Sequence, residues 1–495
     1  MAARTGSEFL AGLRTPREIW VGDEKVRDVA SHPSFAGGAG TMARLFDLQH
    51  EAADLCLMPD PETGEAIHAS HMIPGSRDDL RRRHAALQHT AEFTVGLMGR
   101  TPDYMNVTFA GFAGRHVEWG EDGNEAGAAR LVAYQKSLAR QDLSLTHTII
   151  QPTIDRALGD APVAGNDVAL RKVADTEHGI VVRGARILAT LAPFADEIAV
   201  YPAHPLPEGA EAYALTFCVP MGTPGLKFIC RDTCATPRNL FDHPLSSRFD
   251  EQDAFVIFDD VEVPRERVFI DGHRTIYNRA MASGFQNPMH QTMIRAQTKL
   301  EFAYGLATRM AEAINDASPA TQQMLGEIWT YAELTRAAVG AAEEGAEEFC
   351  PGVWFPRNAP LAALRATLPT WFPRVAEIIT LIGSHNLLAA PTSAQLADPK
   401  LRPLIDHYLR GAKGLAAESR ARLFRLAWDF VGSALAGRNL LYERFYLASG
   451  ARCHQIAHWG ADRARAFHLV DRFLGEDVGL GEPEPSPAKS VGGRR

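Results

Sequence analysis

The sequence predicts an α+β fold in three successive parts. Three observations predict it: apolar residues at helical intervals through the first 140 positions, short β-rich runs divided by turn residues from about 150 to 272, and long helical segments again from 290 to 474. These parts divide into an N-terminal helical domain at 1–145, a central antiparallel β-barrel or sandwich domain at 146–274, a C-terminal bundle of four or more helices at 275–478 and a disordered tail at 479–495. A chain of 495 residues is also long enough for about three domains.

The first part begins irregularly. Asp78 to Met98 places apolar residues at 80, 87, 93 and 97, and Ala126 to Ala139 repeats that interval, so both segments are predicted helices. Thr101-Pro102 reads as an N-cap followed by proline at the first helical position, which makes Asp103 and Tyr104 open a helix with Arg100 just outside its positive end. The glycine-broken run Phe109 to Gly114 reads as a loop near a ligand. Gly38-Ala-Gly40-Thr-Met-Ala43 has the letters of a dinucleotide fingerprint, but the turn Ser31-His-Pro-Ser stands where a strand is required, so it is rejected as a nucleotide site.

In the middle part the clearest strands are Gly179–Thr190, Ala212–Val219, Leu226–Cys230 and Ala254–Phe258, with Asp259, Asp260 and Glu262 read as a solvated turn before Pro264. Helices follow over 290–315, 320–348, 360–389, 401–436 and 452–474, with Gly and Pro at the joins. His454 and His458 lie four apart but lack the glutamate of the zinc-protease pattern, so they read as ordinary helix residues.

Composition excludes several classes. A net charge of −9, with no basic run longer than Arg81-Arg82-Arg83, argues against a nucleic-acid partner. No apolar run reaches the roughly 18 residues of a membrane span, and the first residues lack a signal-peptide core, so a cytoplasmic protein is expected. Six scattered cysteines fit reduced thiols, and no cysteine or histidine pair completes zinc spacing with Cys230 and Cys234, so no metal site is expected.

The candidate chemistry lies in Gly99–Asn106 and Leu145–Pro152. Arg100 supplies fixed positive charge, Tyr104 a phenolic donor and His147 a group that titrates near neutrality, a trio suited to handling an ionisable hydroxyl. Taken singly, each reads better as an ordinary structural side chain. Joining them into one site rests on a resemblance.

The order helical domain, β domain, helical bundle resembles the acyl-CoA dehydrogenase superfamily, in which flavin lies between the β domain and the bundle. More specific are Arg4-Thr-Gly-Ser-Glu-Phe-Leu, Arg17-Glu-Ile-Trp-Val-Gly, Val29-Ala-Ser-His-Pro-Ser-Phe, Gly99-Arg-Thr-Pro-Asp-Tyr, Pro244 to Ala254, Phe258 to Pro264, and Asp429-Phe-Val-Gly-Ser with Gly437-Arg-Asn-Leu-Leu-Tyr-Glu443. Running from residue 4 to about 446, these resemble the oxygenase components of the 4-hydroxyphenylacetate 3-monooxygenase and chlorophenol monooxygenase family.

The resemblance implies a two-component system. A separate NAD(P)H:flavin reductase passes FADH2 by diffusion to this chain, where it reacts with molecular oxygen to form a C4a-hydroperoxyflavin that hydroxylates a phenol ortho to its hydroxyl. His147 would act as base at that hydroxyl, Arg100 would stabilise negative charge, and Tyr104 would donate a hydrogen bond to the same oxygen. The loop after Thr190 would exclude water. Flavin contacts are implied at Gln151, Pro152, Thr153, Thr190 and Ala192, and at Gly383, Ser384, Gly437 and Arg438 for the adenosine and pyrophosphate across a subunit boundary, although these glycines read equally as close packing or caps. Gln151-Pro152 and Pro264-Arg265 depart from the Asn-Pro and Pro-Trp of many relatives.

A homotetramer or homodimer is implied as well. Substrate specificity is assigned to Phe194–Ala212, which leaves open a free phenol, a halophenol, a tyrosine derivative or an aryl group tethered to a carrier protein. Three other readings compete with this one. A 4-hydroxybutyryl-CoA dehydratase could use His290 but would need cysteines where the chain has Gly99, Asp103, Gln297 and Lys299. An acyl-CoA dehydrogenase would need a catalytic carboxylate, and a flavin-binding protein without catalysis would have no use for the trio.

Overall fold

The computed structural model describes residues 3–154, 167–202, 204–235, 239–280 and 284–475; the expected disordered tail therefore lies outside the described residues. Helices Ala36–Glu51, Arg77–Phe93, Pro102–Gly114 and Glu125–Gln141 make up most of the N-terminal part. Arg77–Phe93 starts where Ser76 caps it, the serine side chain accepting the Asp79 N–H. Pro102 does open the helix that follows, but the Thr101 side chain makes no capping bond.

Two sequence expectations change here. Phe109 to Gly114 is the end of a continuous buried helix, and its glycine serves close packing: a Cβ on Gly111 would lie 2.8 Å from Gly284 O. Residues 18–25, expected to be irregular, form two strands of the central sheet. The rejected Gly38 segment lies at the start of Ala36–Glu51, where a Cβ on Gly38 would meet the Phe194 ring at 2.6 Å. Its glycines let a helix approach the β domain.

The strands form two main sheets. The six-stranded sheet runs Glu24–Lys25, Glu18–Val21, Leu226–Cys230, Asp253–Pro264, Gly179–Thr190, Arg171–Asp175, and the four-stranded sheet runs Val268–Asp271, Leu215–Pro220, Glu197–Val200, Leu145–Thr148. Most pairings are antiparallel, but Glu18–Val21 pairs in parallel with Leu226–Cys230, as does Leu145–Thr148 with Glu197–Val200. Residue alternation reports which face is buried and is silent on strand direction. Asp259 and Asp260 are not a closing turn: the strand continues to Pro264 through a bulge where Asp260 has φ +53°, and the two carboxylates pair with Lys227 and Arg183. The sheets enclose Phe194, Phe217, Phe228 and Phe258.

The C-terminal part is built on Gln286–Ala313, Pro319–Glu344, Asn358–Gly383 and Ala417–Val431, which bury Met293, Leu306, Ile328, Ile378 and Phe424 between them. The predicted 401–436 helix is in fact broken into Arg402–Tyr408, Ala417–Val431 and Ala434–Phe445. Asp429 explains one junction, since its Oδ2 accepts the N–H groups of Leu245 and Ser246 at 2.7 and 2.8 Å and so joins the bundle to the β domain. No helix among the described residues is long and apolar enough to cross a membrane, and the six cysteines are unpaired.

Candidate active site

The floor of the site is set by a side-chain bond between strands. Thr146 Oγ1 donates to Thr190 O at 2.6 Å, which binds the strand carrying His147 to the end of Gly179–Thr190. Beside it, Glu251 and Asp253 form a carboxylate hub. Glu251 Oε1 accepts the Arg100 backbone N–H at 2.6 Å and its Oε2 accepts from Arg438 Nη1 at 2.8 Å. Asp253 accepts from Arg438 at 2.7 and 2.9 Å and from Thr190 Oγ1 at 2.7 Å. Burial opposes ionisation of Asp253, but the Arg438 charge outweighs it and the carboxyl stays well below its usual range.

On this frame the trio assembled from separate stretches converges. The Arg100 guanidinium carbon lies 4.0 Å from the Tyr104 ring centroid, and the Tyr104 and His147 rings stack with centroids 5.5 Å apart. All three side chains are buried. Burial alone would lower the Arg100 pKa, but the surrounding phenols of Tyr104, Tyr442, Tyr201 and Tyr446 reverse the direction and keep it charged. His147 differs from the sequence expectation. Burial first, then the Arg100 charge, drives its pKa well below the ordinary histidine value, so it does not titrate near neutrality and is a neutral imidazole with a buried, unpartnered Nδ1.

Sequence reasoning missed the opposite wall. Tyr442 and Tyr446 stack at 4.4 Å and face Arg100 at 5.5 and 5.2 Å, while Tyr201 packs on His147 at 5.2 Å. Behind them Glu443 pairs with Arg295 at 2.9 and 3.0 Å and with Lys299 at 2.8 Å, and Arg295 also donates to Tyr446 Oη at 2.9 Å. The one available signal was the spacing of Arg438 and Tyr442, four apart on a helix, which places that guanidinium 4.6 Å from that ring.

Two cavities meet at the trio. One, of about 640 Å³, is lined by Arg100, Tyr104, Gln151, Arg186, Leu206 and Tyr446 among others. The second, of about 600 Å³, is a groove between Ile187, Leu188, Ile229 and Phe255 of the sheet and Leu441 and Phe445 of the helix, with His147, Thr190 and Arg438 in its lining. A slot with apolar walls and the Arg100 cation in its lining fits a flavin ring. No Asp or Glu lines the first cavity among the described residues, so nothing there matches the carboxylate of an acyl-CoA dehydrogenase.

The other predicted flavin residues divide. Gln151 and Thr190 line the cavities, and Gln151 Oε1 accepts the Leu170 N–H at 3.2 Å. Pro152 and Thr153 continue from Gln151 towards the surface. Arg438 reaches the groove with its charge already matched by Glu251 and Asp253. Ala192 is fully buried in the β core with Leu191 and Phe194, so the stretch after Thr190 is core and cannot act as a lid. Gly383 and Ser384 end a bundle helix and line neither cavity; a Cβ on Gly383 would meet Leu387 at 2.5 Å. Gly437 has open space at its Cβ position and faces a smaller cavity within the bundle. His290 meets no cysteine: its Nε2 and His84 Nδ1 both bond Glu343 Oε1, at 2.7 and 2.5 Å.

Comparison with known proteins agrees with this geometry. Residues 5–270 match the model of the 4-hydroxyphenylacetate 3-hydroxylase N-terminal region and residues 279–475 that of its C-terminal region. The oxygenase component of 4-hydroxyphenylacetate 3-monooxygenase from Thermus thermophilus is 40% identical over 480 residues, covering 96% of this chain and 98% of the relative. A Streptomyces globisporus monooxygenase, named for a (3S)-3-amino-3-(3-chloro-4-hydroxyphenyl)propanoyl group on a peptidyl-carrier protein, is 33% identical over 89% of this chain and 84% of its own. A crystal structure of a 4-hydroxyphenylacetate 3-monooxygenase oxygenase component with FAD and 4-hydroxyphenylacetate superimposes with a TM-score of 0.90, at 37% identity over 96% of this chain and 98% of that one. With both halves of the family model matched and near-complete coverage by its relatives, this chain belongs to the 4-hydroxyphenylacetate 3-hydroxylase family.

Proposed function

We propose that this chain is the oxygenase half of a two-component FADH2-dependent monooxygenase that hydroxylates a phenol ortho to its hydroxyl, with reduced flavin supplied by a separate NAD(P)H:flavin reductase. The observation that carries the reading is the convergence of Arg100, Tyr104 and neutral His147 where the two cavities meet. Bound reduced FAD supplies, with dioxygen, the electrophilic oxygen atom.

The chain's own residues prepare the phenol. Neutral His147 accepts a hydrogen bond from the substrate hydroxyl and draws electron density towards the ortho carbon. Arg100, charged and without a carboxylate at its guanidinium among the described residues, stabilises the phenolate character that develops. Tyr104 donates to the same oxygen. Tyr201, Tyr442 and Tyr446 wall the site from water.

Of the implied flavin residues, Gln151, Thr190 and Arg438 are supported by their positions in the cavity walls. The substrate is a free phenol or an aryl group on a carrier protein, the two kinds named for the relatives. Assembly into a homotetramer or homodimer is supported by helix Ala464–Leu474, which leaves Phe467, Val470, Phe473 and Leu474 exposed.

The test is to mix the protein with chemically reduced FAD, then oxygen, with and without a panel of phenols, and to quantify catechol and hydrogen peroxide. Catechol carrying one atom of labelled dioxygen is the expected product. Peroxide alone with every phenol overturns the reading.

A further inference from the structure

The 640 Å³ cavity carries more positive charge than phenol chemistry requires. Besides Arg100, its wall contains Arg186, Arg365 and Arg452 and no Asp or Glu among the described residues, in a chain whose net charge is −9. Other buried arginines around the site are matched: Arg438 by Glu251 and Asp253, Arg295 by Glu443. Arg186 is not. It is 1% exposed, its Nη1 donates to Ile149 O at 2.7 Å and it faces the Tyr277 phenol, but no carboxylate pairs with it among the described residues.

The other two are half-buried at the cavity wall. Arg365 Nε donates to Leu447 O at 2.8 Å, Arg452 sits 4.7 Å from the Trp459 ring, and neither makes an ion pair among the described residues. Burying a guanidinium without a counter-charge is costly unless a ligand provides one. Several like charges on a low-dielectric wall concentrate their field in the cavity.

We propose, building on the phenol-hydroxylase reading of this site, that Arg186, Arg365 and Arg452 recognise an anion which the substrate carries beyond its aromatic ring. With the hydroxyl held at Arg100 and Tyr104, a second charged anchor fixes the direction of the ring axis and so holds an ortho carbon towards the flavin. Neutral phenols lack that anchor and are poor substrates. The anion is a carboxylate or a phosphate, both of which fit the guanidinium fork. It comes either from a free phenolic acid or from the phosphodiester of a carrier protein's arm.

The test compares kcat/KM for 4-hydroxyphenylacetate and 4-hydroxyphenylacetamide, and for a 4-hydroxyphenyl acyl thioester on a phosphopantetheinylated carrier protein, using wild type, Arg365→Gln and Arg452→Gln. Reduced-FAD affinity is measured alongside. Wild type should prefer the acid to the amide by about tenfold or more, and each variant should raise KM for the anionic substrate by about tenfold while leaving the amide and the FAD affinity unchanged. If the carrier-bound substrate is the better one and suffers most in the variants, the phosphodiester is the anion recognised. If the free acid does, it is the carboxylate. Equal use of acid and amide by wild type overturns the proposal, and so do variants that weaken FAD binding without changing the substrate KM, because the arginines would then serve the cofactor. Should no phenol be hydroxylated, the monooxygenase reading itself fails; calorimetric binding of acid and amide then decides this proposal, with tighter acid binding supporting it and equal or absent binding overturning it.

Discussion

The Arg100 guanidinium carbon lies 4.0 Å from the centre of the Tyr104 ring, while the Arg100 backbone N–H is bonded to Glu251 at 2.6 Å. Main chain and side chain are thus held by different partners, and the side chain can be removed without dismantling the hub. Arg100→Ala should keep the fold but lower catechol formation by about 10²–10³-fold. Oxygen uptake should persist as hydrogen peroxide, measured as the ratio of catechol to peroxide.

His147→Ala should uncouple in the same way. In the wild type, the neutral state of His147 implies that catechol formation at saturating phenol has no acid limb near pH 6.5, because the imidazole has already lost its proton there. A rate profile with a single ionisation at that pH, abolished in the variant, would contradict the assignment.

Stability should fall in acid before any carboxylate of ordinary pKa titrates. Burial lowers His71 to about 3 and His290 to about 4, from the ordinary histidine value of 6.5. Above pH 6.5 both folded and unfolded chains are neutral at these sites and nothing is lost. Below it the unfolded chain takes up protons that the folded one refuses, so each group costs up to about 1.4 kcal/mol per pH unit until the folded pKa is reached. Thermal unfolding between pH 7.5 and 4.5 should show Tm dropping below pH 6.5, and His71→Gln should flatten that drop.

Glu443→Gln leaves Arg295 and Lys299 buried without their counter-charge. The expected loss is about 3–5 kcal/mol, read by denaturant unfolding. Because Arg295 also holds Tyr446 Oη, activity should fall at temperatures where the variant is still folded.

A Cβ at Gly99 would come within 2.1 Å of Tyr442 Oη. Gly99→Ala should cost about 1–3 kcal/mol by overpacking and should weaken reduced-FAD binding, measured by fluorescence titration, since Tyr442 lines the groove.

Much of this was legible because the signals were local. The helices Arg77–Phe93 and Glu125–Gln141 show in apolar spacing, although the first stops short of the expected Met98, and the motifs carrying Arg100, Tyr104 and His147 delivered side chains that do meet. What was hidden depends on contacts between distant segments. Tyr446, Arg365 and Arg452 come from the far end of the chain to the same cavity as Arg100, and nothing in their own neighbourhood announces it. Arg186 lies in a strand whose alternation predicts only a buried position. The His147 pKa could not be read either, since residue type fixes only the ordinary value and the shift belongs to the surroundings.

Glu18–Val21 hydrogen-bonds in parallel to Leu226–Cys230, which in turn pairs with Asp253–Pro264. A chain emerging from the ribosome can therefore pair its first strand only with the adjacent Glu24–Lys25 until more than two hundred further residues have been made. Its earliest hairpin waits for a distant strand before it joins the sheet, and amino-terminal fragments of this protein are exposed to capture by chaperones or proteases throughout that interval.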